Sequence, residues 1–254
     1  MTDPNTAASI NEEEMVVNAG SFGFSSVPIG QLEEMEYCLV TILVDASSSV
    51  GRFRQLLIDM IANGVKSCDD NPRSENLLVR VCTFSSNGCF QEIHGFKPLE
   101  FIKTDVYNNI HPGGMTAASD AIIDAIGATR RYADDLWNQQ DIKCNAHITL
   151  VTDGCENDSS ADIGDVAALI KEVNEMESKS LESLFTLLIA VGTEDRDIAK
   201  ILDGFHKETG FDQFLDAKDA SADNMSKAGG WITSSVSSSV RVLGSGTKST
   251  LLQV

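Results

Sequence analysis

Asp45, Ser47 and Ser49 close the run LVTILVDASSSVG, residues 39–51, placing one carboxylate and two hydroxyls at alternating positions after an apolar stretch. These are hard oxygen ligands, the type that small divalent cations such as magnesium prefer. Magnesium takes about six oxygens in near-octahedral geometry, so further ligands must come from elsewhere in the chain. Thr116, in PGGMTAASDA, and Asp153, ending the apolar run of HITLVTDG, supply one more hydroxyl and one more carboxylate. Taken singly, each fragment has a structural use. Asp45, Ser47 and Ser49 suit the N-cap of a helix, Thr116 opens a helical pattern, and Asp153 with Gly154 suits a turn. Taken together, five oxygen side chains from three distant stretches make a candidate metal site.

DxSxS after a first strand, a threonine after a glycine pair, and TDG after a later strand resemble the von Willebrand factor A family, over residues 37–243. The resemblance implies a metal-ion-dependent adhesion site. Ser47, Ser49 and Thr116 would coordinate through hydroxyls, with Asp45 and Asp153 near the ion, often through water. It implies Mg2+, with Mn2+ or Ca2+ admissible. Neutral hydroxyls leave such an ion short of negative charge, so an Asp or Glu carboxylate from a protein partner completes its shell. The expected function is a non-enzymatic, metal-dependent protein-binding module. The segment GGWITSSVSSSV resembles the closing helix of bacterial A-domain proteins associated with tellurium resistance, which implies a stress or defence setting.

The elements that must position these residues alternate along the chain. Residues 37–45 are apolar on both faces, as in a central parallel strand covered by helices on both sides. Phe53, Leu56, Leu57, Met60, Ile61 and Val65 then recur at helical spacing. Strands are expected at 77–84, at 89–94 as a more polar edge, at 146–153, at 184–192 and at 213–215. Helical stripes fall at Ile122, Ile126, Ala133 and Leu136, at Val166, Leu169, Ile170 and Val173, and at Ile198, Ile201, Leu202 and Phe205. A last, serine-rich helix carries Ile232, Val236 and Val240, and its modest propensity requires tertiary packing. This alternation predicts an α/β fold, a doubly wound and mostly parallel six-stranded sheet with helices on both faces. The family resemblance implies strand order 3-2-1-4-5-6. Strands one and four are then neighbours whose connections leave towards opposite faces, and Asp45 and Asp153 flank the resulting crevice.

Three parts are expected: an arm over residues 1–36, the A domain over 37–243, and a tail over 244–254. The arm is long for the family, and Val16, Val17, Phe22 and Phe24 could anchor it to a sheet edge or to a second copy in a homo-oligomer. GSGTKST in the tail lacks the glycine before Lys248 and the following helix that a phosphate loop needs, so it reads as a flexible end.

The formal charge of −19 repels phosphate backbones and anionic membrane surfaces, which argues against nucleic acid and membrane partners. The opening MTDPNTAASINEEE has no basic start and no secretory apolar stretch, and six scattered cysteines lack a CxxC pair. A soluble, cytoplasmic protein with reduced thiols is the expectation. Cys82, Cys89 and His94 lack a fourth ligand and a zinc-like spacing, and burial is the simpler reading for them. Cys155, two residues beyond Asp153, reads as an inert loop thiol, with a solvent-facing thiol beside the metal as the alternative. Glu156 and Asp158 border the expected ion, or form a solvated acidic loop.

An enzyme is the rival class. In phosphatases of the haloacid dehalogenase type an acid/base aspartate stands two positions after the first, where this chain has Ser47, and His94, His111, His147 and His206 form no Ser/His/Asp arrangement. A structural or assembly subunit with a dispensable metal site is the other alternative.

Overall fold

Ten residues from Glu36 to Asp45 form the central strand, and every one after Glu36 is buried. The computed structural model describes residues 16–18, 22–86, 88–154, 156–176 and 178–253. Cys155 and residues 1–15 of the arm lie outside these. The strands are β1 (Val16–Asn18), β2 (Phe24–Ser26), β3 (Glu36–Asp45), β4 (Leu77–Phe84), β5 (Phe90–Lys97), β6 (Lys143–Thr152), β7 (Leu181–Ala190) and β8 (Gln213–Asp216). The helices are α1 (Arg54–Lys66), α2 (Ala118–Gln140), α3 (Ile163–Glu175), α4 (Arg196–Thr209) and α5 (Ala222–Arg241).

The sheet order is β1-β2-β5-β4-β3-β6-β7-β8. β4, β3, β6, β7 and β8 run parallel, and β5 is antiparallel to β4. The six expected strands keep their expected sequence of neighbours, but six is not the strand count. The arm adds β1 and β2 beyond β5, which is therefore not an edge. β2 joins at the single register pair Ser26↔Phe96. A Cβ at Gly95 would collide with the Ser25 backbone, so glycine permits this close approach.

Side chains alternate across the sheet and build a core on each face. Cys38, Val40, Ile42 and Val44 of β3 pack with Leu57 and Ile61 of α1 and with Ile232 and Val236 of α5. Tyr37, Leu39 and Leu43 pack with Ile122 and Ile126 of α2, and Val166 of α3 and Phe205 of α4 belong to the same core. Phe24 lies in that second core against Phe96 and Tyr132, and Phe22 packs beside it. These two aromatic residues of the arm thus pack within the chain.

The serines of α5 have a packing role. Ser239 Oγ lies 2.8 Å from His147 Nδ1, Thr149 Oγ1 lies 3.0 Å from Nε2, and the ring stacks on Phe185. A buried polar ring is tolerated because its nitrogens have partners. Burying Trp231, Ile232, Val236 and Val240 contributes ~1.5–3 kcal/mol for each large side chain, which outweighs a propensity deficit of a few tenths per serine. The helix crosses α1 closely at two glycines, where a Cβ at Gly64 would lie 3.2 Å from Gly229 O.

The expected flexible end is tied down through Leu252. Gln213 Nε2 donates to Leu252 O and Leu252 N donates to Gln213 Oε1, both at 2.8 Å. Lys248 pairs with Asp212 at 2.7 Å.

Candidate metal centre

β3 and β6 are adjacent and parallel, paired through Val44↔Val151, so Asp45 and Asp153 emerge side by side at the carboxyl ends. The chain leaves β3 for α1 in one core and leaves β6 for α3 in the other. The crevice between them is the topological switch point where open α/β sheets bind ligands.

Asp45 forms the floor, 1 % exposed. Its Oδ1 accepts the Ser47 N–H at 2.7 Å, and its Oδ2 accepts the Thr152 hydroxyl at 2.6 Å. Above it, Ser47 Oγ and Ser49 Oγ are 2.9 Å apart, and Ser49 donates to Asp153 Oδ1 at 2.6 Å. A Cβ at Gly154 would lie 3.7 Å from Thr116 Oγ1 and 4.0 Å from Ser49 Oγ, so both hydroxyls face the spot that this glycine leaves open. All five residues singled out in the sequence therefore line one crevice. The capping alternative fails. Ser47 precedes a 3-10 turn at Ser48–Phe53 without a side-chain cap bond, and α2 likewise starts without one.

Burial pushes the Asp45 carboxyl up to about 6, against the hydrogen bonds from Thr152 and Ser47 and with a further rise from the charge of Asp153. Burial also raises Asp153, while the Ser49 hydrogen bond and the Arg52 guanidinium lower it. Arg52 does not plug the crevice: its Nη2 binds Gly192 O at 2.9 Å and Glu194 at 3.0 Å. Among the described residues, no ion pair reaches Asp45 or Asp153. The site is thus a set of hard oxygens in which two carboxylates are driven towards neutrality by burial, and added positive charge relieves both. That chemistry fits a hard divalent cation. Among the described residues no three His, Cys, Asp or Glu side chains cluster as metal ligands, which bears against a zinc site at Cys82, Cys89 and His94.

Two supporting residues, Thr152 and Asn157, had no assigned role in the sequence reading, and a third, Glu156, has a different one. Thr152 supplies the buried donor to Asp45. Asn157 Oδ1 accepts the Thr116 N–H at 2.8 Å, while the Asn157 and Asp158 amides donate to Thr116 O at 3.0 and 3.1 Å. Glu156 turns away from the crevice to accept the Ser119 N–H at 2.7 Å in the first turn of α2. It is a structural clip rather than a border of the ion. Thr152 lies inside the TDG motif, a usable signal; Asn157 and Glu156 carry only the common turn preference of short polar side chains.

No family model and no curated protein matches the sequence. Solved structures do, and they define the class as von Willebrand A-like in fold. The vWF domain of the type V pili tip protein Mfa5 from Porphyromonas gingivalis is 12 % identical with TM-score 0.51, covering 80 % of this chain and 96 % of that one. The D319A mutant of the PilB minor pilin from Streptococcus sanguinis is 14 % identical with TM-score 0.52, covering 83 % of this chain and 63 % of its own. The pilus adhesin SpaC from Lactobacillus rhamnosus GG is 12 % identical with TM-score 0.57, and this chain spans 31 % of its length. Proximal thread matrix protein 1 from the mussel byssus, solved with a zinc-occupied MIDAS motif, is 17 % identical with TM-score 0.50, covering 78 % and 45 %.

Proposed function

We propose that this chain is a non-enzymatic, divalent-cation-dependent protein-binding module. Asp45, Ser47, Ser49, Thr116 and Asp153 hold the ion, and the partner supplies an Asp or Glu carboxylate. The observation that carries this reading is the Ser47–Ser49–Asp153 hydroxyl chain standing over buried Asp45. Bound there, the cation supplies an open coordination position that attracts an anionic oxygen. The chain's own residues set the rest: Asp45 and Asp153 provide the charge, the three hydroxyls provide neutral oxygens, and the clip at Asn157 fixes Thr116.

Mg2+ suits the oxygen donors best, with Mn2+ or Ca2+ as alternatives. The mussel protein shows that a relative of the same fold takes zinc in its own site. The pilus and adhesin relatives support a role in protein association or assembly. The resemblance of residues 229–240 to tellurium-resistance proteins supports a stress or defence setting in the cytoplasm, although Ser235 and Ser239 already serve the His147 contact.

An enzyme is disfavoured because His94 and His147 are buried and held neutral, pushed down to about 4 and about 3 by burial. His206 stacks on Phe214.

Calorimetric titration with Mg2+, Mn2+, Ca2+ and Zn2+, combined with partner capture with and without chelator, tests the proposal. Binding should vanish with chelator and with Ser47→Ala/Ser49→Ala. Partners that survive both treatments, or phosphatase turnover abolished by Asp45→Ala, would overturn it.

A further inference from the structure

Residues 22–27 of the arm are held as a bound peptide is held, as much by side chains of β4 and β5 as by the sheet. β2 meets β5 at the single register pair Ser26↔Phe96, and next to it the Val27 N–H donates to Phe96 O at 3.0 Å. The other polar anchors come from two charged side chains. Arg80, fully buried on β4, donates from Nε to Glu92 Oε2 at 2.6 Å and from Nη2 to Gly23 O at 3.0 Å. Glu92 accepts the Ser25 N–H on Oε1 at 3.0 Å, and the Ser25 hydroxyl as well. One ion pair thus bonds a carbonyl, an amide and a hydroxyl of the arm.

The apolar contacts make this groove selective for sequence. Phe24 is buried with its ring against Phe96 and Tyr132, centroids 5.9 and 5.4 Å away. Phe22 lies on α2 at Gly127, where a Cβ would come 2.5 Å from its ring, and the Ser25 backbone lies on Gly95, where a Cβ would collide with it. The groove therefore fits two aromatic rings at alternate positions followed by a serine, the pattern of an added strand whose alternate side chains enter pockets. An empty groove leaves Arg80 Nη2 buried without its carbonyl, which disfavours a freely open arm. Beyond Val27 the hold weakens. Pro28 keeps an extended backbone, φ −56° and ψ 129°, and the short turn Ile29–Gln31 that follows has no buried residue.

We infer that this groove is an exchange site: residues 22–27 of one copy seat in the groove of a second copy and join the two chains. The occupant is the segment that the groove already fits, so every contact above is kept and only the path of residues 28–35 changes. A foreign strand would need both rings and the serine at the same spacing. The resident arm competes at an effective concentration on the order of millimolar, so joined copies accumulate where chains are concentrated. No step depends on the proposed metal function.

Two full-length variants, studied by native mass spectrometry after treatment with EDTA, test the inference. Phe22→Ala/Phe24→Ala keeps the groove and spoils its own arm, whereas Gly95→Ala keeps the arm and blocks its own groove. Each should be monomeric alone. Their mixture should give a one-to-one heterodimer, lost when the Gly95→Ala chain also carries the two alanines. Absence of the heterodimer from folded variants overturns the inference, as does a heterodimer that survives that control. If either variant does not fold, the unmodified chain decides. With fluorophenylalanine incorporated, its Phe22 and Phe24 fluorine NMR signals should shift saturably as the peptide SFGFSSVP, residues 21–28, displaces the resident arm. The same peptide with alanine at both phenylalanines should bind at least about tenfold more weakly. Equal response to the two peptides, or no response to either, overturns the inference.

Discussion

Thr152 and Asp45 sit on neighbouring parallel strands, and the Thr152 hydroxyl donates to Asp45 Oδ2 at 2.6 Å beneath the serine hydroxyls. This contact supports the carboxylate on which the proposed ion depends. Thr152→Val keeps the shape and removes the donor, leaving a buried carboxylate oxygen unpaired. It should cost about 1–3 kcal/mol of stability in urea unfolding without metal and lower Mn2+ affinity. Unchanged unfolding would mean that Asp45 does not need this support.

Ser49 is exposed, and its hydroxyl bridges Ser47 and Asp153. Ser49→Ala should leave stability within about 0.5–1 kcal/mol of the parent, as for most surface changes. Mn2+ affinity should fall about tenfold or more, read by electron paramagnetic resonance titration. Equal affinity would remove Ser49 from the ligand set.

His94 and His147 are held neutral by burial, down to about 4 and about 3 from an ordinary 6.5. Between those values the unfolded chain binds more protons than the folded one. The histidine contribution is therefore full above about pH 6.5 and falls as pH drops towards 4, by at most about 1.4 kcal/mol per unit for each histidine, while the raised Asp45 carboxyl contributes with the opposite sign below about pH 6. Urea midpoints at pH 7, 6 and 5 measure the slope, and His147→Asn should reduce it. A slope identical in the variant would show that His147 titrates normally.

Gly127 lies inside α2, where alanine ordinarily adds about 1 kcal/mol. Here a Cβ would come 2.5 Å from the Phe22 ring. Gly127→Ala should instead lower the melting temperature and expose residues 22–26 to limited proteolysis. A raised melting temperature would place Phe22 elsewhere.

Much of the sheet was legible because β3, β4, β6 and β7 are apolar on both faces, a pattern that only a doubly covered strand requires. β1 and β2 were legible only as an arm able to reach a sheet edge, since three residues are too few to show a period and β2 meets β5 at one register pair. The tail was misread for a related reason. Its polar composition suggests freedom, but Gln213 matches the Leu252 backbone with both a donor and an acceptor. For the site, the carboxylates were visible as strand ends. The clip on Thr116 was hidden because Asn157 is 41 residues away and Glu156 bonds Ser119 across 37.

By itself, the sequence determined which oxygen side chains are available and which strands carry them, because residue chemistry and apolar periodicity are local properties. Only the tertiary structure decided that Ser49 bonds Asp153 and Ser47 bonds Ser49 instead of capping a helix, and that Asn157 holds Thr116. Those outcomes depend on distances across strands and loops, and backbone packing sets such distances through contacts that no stretch of chain contains alone.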